Sequence, residues 1–134
     1  MADIASVHQL RPVRVLVAGG DPAFVRRATD QLSVLGFDVM STTMASRAVE
    51  LAGLQRVNVV LLDTTSGVTA AAAIASALEA LPQRVEVLLA GNGGHATGRL
   101  GFHVVKATAS GEELAAAVHR AYRGDPSHPR RSVR

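Results

Sequence analysis

A chain of 134 residues, 48% hydrophobic but only 3% aromatic and without cysteine, is sized for one domain around an Ala/Val/Leu core. That composition excludes a disulfide scaffold, a thiolate metal centre and a cysteine nucleophile. A formal charge of +3 and an isoelectric point near 10.5 raise nucleic acid as a partner, but Arg130, Arg131 and Arg134 against Asp125 place +2 of that charge in residues 125–134. The body of the chain is close to neutral and no aromatic residue interleaves with the arginines, so nucleic-acid binding is not expected. No apolar run approaches ~18 residues and Met1 to Pro12 has no signal-peptide pattern, so the expectation is no membrane and a cytoplasmic protein.

Taken in order, residues 1–12 read as a flexible lead and 13–124 as the domain. Val13 to Ala18 reads as a first strand, ended by Gly19-Gly20. Asp21-Pro22 then opens a helix, with aspartate as the cap and proline at the first helical position. Phe24, Val25, Ala28, Leu32 and Leu35 follow at helical spacing up to Gly36. Residues 37–41 form a short strand, and a helix over 45–53 turns Ala48, Val49, Leu51 and Ala52 inward. The next run, Val57-Asn58-Val59-Val60-Leu61-Leu62-Asp63, is the centre of the pattern. Branched side chains at that density over so few residues predict a strand covered on both faces. Asp63 then stands at its carboxyl end, where open α/β sheets place their crevices. Residues 64–68 read as loop.

An Ala-rich helix follows over 69–81, burying Ile74, Leu78 and Leu81. Residues 85–90 are a fourth strand. Gly91, Gly93, Gly94 and Gly98 crowd the next segment, which reads as loop. Residues 102–105 are a fifth strand leading to Lys106, the one lysine of the chain. Ser110 and Glu113 make a capping box for a last helix through Leu114, Val118 and Tyr122. Residues 125–134 read as a disordered basic tail. Strand and helix alternate, which predicts right-handed parallel crossovers and a three-layer α/β sandwich.

With those elements placed, the chain resembles the receiver domains of two-component response regulators over residues 13–124. The resemblance rests on Val13 to Leu35 as first strand and helix, on Val59-Val60-Leu61-Leu62-Asp63, and on Val104-Val105-Lys106 followed by Glu112-Glu113-Leu114. It implies a flavodoxin-like five-stranded parallel sheet of order 2-1-3-4-5. It also implies that Asp63 matches the phosphoacceptor aspartate and Lys106 the family's lysine. A working receiver adds two acids after the first strand to hold magnesium, a Ser or Thr after the fourth strand, and an aromatic switch residue. Here the acid pair falls on Gly19 and Gly20, the hydroxyl position on Ala90 or Gly91, and the aromatic position on Val104.

The expectation is therefore a degenerate receiver, not an enzyme, without a cofactor, acting through a protein partner or homodimer independently of phosphorylation. Asp63 and Lys106 are expected side by side as an ion pair. Acids restored at 19 and 20 should converge with Asp63 on a divalent ion. The alternatives are a true phosphoacceptor at Asp63, for which magnesium would be the cofactor, and a small-ligand sensor using the vacated crevice above Gly19-Gly20. Between Ala90 and Lys106 there is little room for the receiver's fourth helix, so that helix is expected to be shortened or absent and residues 91–101 irregular. Docking is expected near Phe102, Val104 and Tyr122.

Overall fold

A computed structural model describes residues 12–65, 67–91 and 102–123. Five parallel strands, β1 (Arg14–Ala18), β2 (Asp38–Thr42), β3 (Val59–Asp63), β4 (Glu86–Ala90) and β5 (His103–Val105), form one sheet in the order β2-β1-β3-β4-β5. Four α-helices occur among the described residues: α1 (Pro22–Val34), α2 (Ala48–Gln55), α3 (Val68–Glu79) and α4 (Gly111–Arg123). This is the three-layer flavodoxin-like sandwich expected. The segment expected to hold a shortened or missing helix, the lead before residue 12 and the tail after residue 123 lie outside the described residues, apart from Gly91.

Side chains alternate across the sheet, which sorts the core into two layers. Val15, Val17, Val59, Leu61, Leu88 and Ala90 meet Phe24, Val25, Ala28 and Leu32 of α1 and Leu114, Ala117 and Val118 of α4. Leu16, Ala18, Val60, Leu62, Val87 and Leu89 meet Ala48 and Ala52 of α2 and Ala71, Ala75 and Leu78 of α3. All five residues of β3 and all five of β4 are buried, as doubly covered strands must be.

Local chemistry places most boundaries. The Asp21 carboxylate accepts from the Ala23 N–H at 3.1 Å and caps α1. At α4 the reciprocal capping box is made: the Ser110 N–H donates to Glu113 Oε1 at 2.8 Å and the Glu113 N–H to Ser110 Oγ at 3.1 Å. One boundary differs from the sequence reading. Gly53 does not stop α2; a 3-10 turn at Ala45–Arg47 precedes the helix, which runs to Gln55, and Arg56 takes the left-handed cap with φ of 54°. Helix propensity disfavours an interior glycine by only about 1 kcal/mol, and here the burial of Ala48 and Ala52 outweighs it.

Candidate functional site

The strand register lays out the carboxyl edge of the sheet. Ala18 lies beside Leu62, and Asp63 beside Ala90. One residue past Ala18, Gly19 comes level with Asp63 on the side that faces α1. Asp63 is 2% exposed, and its carboxylate leans toward β1. Oδ2 accepts the Asp21 N–H at 3.2 Å and the Thr65 hydroxyl at 2.6 Å, and Oδ1 accepts the Thr65 N–H at 3.1 Å. A buried carboxylate holding three donors is a satisfied group.

Space at this edge is as informative as bonding. A β-carbon on Gly19 would stand 2.2 Å from Asp63 Cβ and 2.9 Å from Oδ2. Gly19 is therefore no vacant acid position, since Asp63 itself fills the volume above it. The same holds one strand over. Thr64 donates from both its N–H, at 2.9 Å, and its hydroxyl, at 3.1 Å, to the Ala90 carbonyl. A β-carbon on Gly91 would lie 1.9 Å from that hydroxyl oxygen. The two glycines sit under two side chains from the end of β3.

Lys106 departs from the expectation. No ion pair joins it to Asp63, and its side chain is exposed, bordering an open hollow with Val104, Glu113 and Arg120 along α4. The cause is directional: Asp63 turns to the β1 side, while Lys106 follows β5, two strands away on the other side. With both oxygens already bound by Asp21 and Thr65, the carboxylate offers a lysine less to repay the loss of its hydration. The loop after Lys106 is tied instead to α1, where the Arg27 guanidinium donates to the carbonyls of Ala107 and Ala109.

Other expected residues are placed as follows. Ala90 is fully buried between β3 and β5. Gly20 is exposed, and Val104 is half-buried beside Leu89. Phe102 is 2% exposed and belongs to the core on the α2 and α3 side, so it cannot form part of a docking surface; Tyr122 is 45% exposed.

Sequence reasoning missed Thr64 and Thr65, which it assigned to loop. A usable signal was present in Asp63-Thr64-Thr65: an aspartate can accept the backbone N–H two residues on, and a threonine there adds a hydroxyl donor.

The resemblance implies a magnesium ion here, and the residues do not fit one. Magnesium wants carboxylate oxygens at near-octahedral geometry. Asp63 has both oxygens engaged by donors, Asp21 is used as a helix cap, and Gly19 and Gly20 have no side chain. Among the described residues no three His, Cys, Asp or Glu side chains gather to hold a metal, and no helix is long and apolar enough to cross a membrane.

Comparison with solved structures places this geometry in a known fold. A sensor protein from Polaromonas sp. JS666 superposes with a TM-score of 0.72 at 18% identity, over 85% of this chain and 98% of that one. A response regulator from Desulfuromonas acetoxidans gives 0.70 at 16% identity, over 83% and 97%. A CheY-like response regulator receiver domain from Methylobacillus flagellatus gives 0.68 at 16%, over 82% and 98%. The fold is that of response-regulator receiver domains, and at these identities the likeness is one of fold. No family model and no curated protein matches the sequence.

Proposed function

We propose that this chain is a degenerate receiver: a module that signals by contact with another protein and does not accept a phosphoryl group. One observation carries the reading. Asp63, in the place of a phosphoacceptor, is held by the N–H groups of Asp21 and Thr65 and by the Thr65 hydroxyl. To attack phosphorus, the carboxylate would first have to loosen donors that now bind both of its oxygens. It would then have to do so without charge-neutralising groups, which supply most of the catalysis in phosphoryl transfer. Lys106 is exposed and forms no ion pair with it, and the residues nearby do not suit magnesium. For the small-ligand reading, Asp63 already fills the space directly over Gly19, which makes it the weaker alternative. What remains is the fold's outer surface, which supports a protein partner or a second copy of the chain.

The test is intact-mass measurement after incubation with magnesium and acetyl phosphate. The unmodified mass is expected. A phosphoryl adduct that vanishes in Asp63→Asn overturns the proposal in favour of a true phosphoacceptor.

A further inference from the structure

We propose that residues 1–11 of this chain dock on an apolar hollow between the end of α1 and the start of α4. The hollow holds about 370 Å³ and its wall is almost wholly apolar. Val34, 85% exposed, and Leu35, 46% exposed, stand side by side on one bank. Gly111 lies opposite, so close to α1 that a β-carbon there would touch Gln31 Cβ at 3.2 Å. Isolated exposed apolar residues are ordinary. Two adjacent ones lining a hollow, at a helix end where a polar finish would cost nothing, point to a cover.

Chain connectivity brings residues 1–11 to this place. The Val13 carbonyl accepts the Asp38 N–H at 3.0 Å, and the Phe37 N–H bonds back to Leu32 at 3.1 Å. The chain thus enters the domain one strand spacing, about 4.8 Å, from Asp38, and Leu35 is three residues before Asp38, at most about 11 Å further. Even at about 1.5 Å per residue, the helical minimum, residues 1–11 span roughly 16 Å and reach the hollow.

The chemistry also matches. Ile4, Val7 and Leu10 recur every third residue, a spacing that gathers apolar side chains on one side of a helical turn. His8 and Arg11 lie between and beside them, while the exposed carboxylates of Asp30 and Glu112 rim the hollow. An apolar stripe flanked by cations therefore meets an apolar wall flanked by acids.

Because the chain has no cysteine, Ser6→Cys in the 134-residue chain carries a single nitroxide, off the apolar stripe. In ¹⁵N-labelled protein, loss of amide signal is expected to centre, beyond the sequence neighbours of residue 6, on residues 30–35 and 110–112. That loss should persist on dilution with unlabelled, spin-free protein, and should disappear in Ile4→Asp with Val7→Asp. Val34→Glu, at a side chain too exposed to disturb the core, should abolish the same loss while leaving the rest of the spectrum in place. Loss seen only when spin-labelled ¹⁴N protein is mixed with spin-free ¹⁵N protein assigns the hollow to a second copy and overturns the proposal. Loss centred elsewhere in the domain, or limited to the residues flanking position 6, also overturns it.

Discussion

Gly19→Ala is the sharpest probe of the carboxyl edge. The added β-carbon would lie 2.2 Å from Asp63 Cβ, which is the root of that side chain and not a flexible tip, so Asp63 must move as a whole. Overpacking of a buried site costs about 1–3 kcal/mol. Displacing the carboxylate also weakens charge-assisted bonds, each about 1.5–3 kcal/mol. Against this, alanine restricts the unfolded chain and returns about 0.4–1 kcal/mol; Gly19 has no positive φ, so there is no backbone penalty. The net expectation is a loss of about 3 kcal/mol, a large part of the ~5–15 kcal/mol that holds a domain together.

Urea denaturation with an unchanged m value reads this directly. The mechanism is separated from mere destabilisation by a cycle with Asp63→Gly, which deletes the opposing β-carbon. In that background Gly19→Ala should cost less than about 1 kcal/mol, a coupling at the upper end of the range for residues in contact. In Asp63→Ala, which keeps the β-carbon, Gly19→Ala should remain costly. Equal costs in all three backgrounds, or a near-neutral Gly19→Ala in the parent protein, would refute the claim that Asp63 occupies the acid position.

Gly91→Ser, the direct way to reinstate a hydroxyl, should lower the melting temperature by roughly 5–10 °C for about 2 kcal/mol, and Thr64→Ala should restore most of the loss in the double variant. Gly19→Asp with Gly20→Asp should show no magnesium-dependent rise in melting temperature, because the first new side chain has no room beside Asp63; a rise would mean that Asp63 swings aside. Arg27→Ala should cost about 2 kcal/mol in chemical denaturation through loss of its bonds to Ala107 and Ala109, with Arg27→Lys recovering only part since a lysine cannot fork between two carbonyls. Ser110→Ala should cost about 1 kcal/mol by removing half of the capping box.

What the sequence made legible was whatever depends on local pattern. The run Val59 to Asp63 announces a doubly covered strand because its side chains leave no polar face. Asp21-Pro22 and Ser110 with Glu113 announce helix starts because the capping groups lie within three residues of the N–H groups they satisfy. The end of α2 was misplaced for the opposite reason. Gly53 looked like a stop, but Ala48 and Ala52 pack against the sheet, and packing carried the helix to Gln55. Phe102 was taken for surface because it stands at the start of a short edge strand, one residue before β5. In register it shares a face with Val104 and Leu89, which turns it inward. The Asp63–Lys106 pair failed because strand order sets which residues share an edge, whereas the lean of one carboxylate toward Asp21 and Thr65 decides which of them touch.

The same lean changes the meaning of the two glycines. Under the resemblance, Gly19 falls at an acid position and Gly91 at one of the two candidate hydroxyl positions, so each reads as a missing group. In three dimensions each is one half of a pair, Gly19 with Asp63 and Gly91 with Thr64, in which the β3 side chain uses the volume that the other residue would need. A single substitution at either glycine therefore meets a filled site, and recovery of the lost group requires a second change at the end of β3. Under the proposed degenerate role, two such coupled pairs on adjacent strands make that arrangement stable against one-step reversal. A site held closed by packing as well as by missing chemistry is what the proposed contact-only role requires, since Asp63 then serves the sheet edge as a structural anchor with its oxygens spoken for.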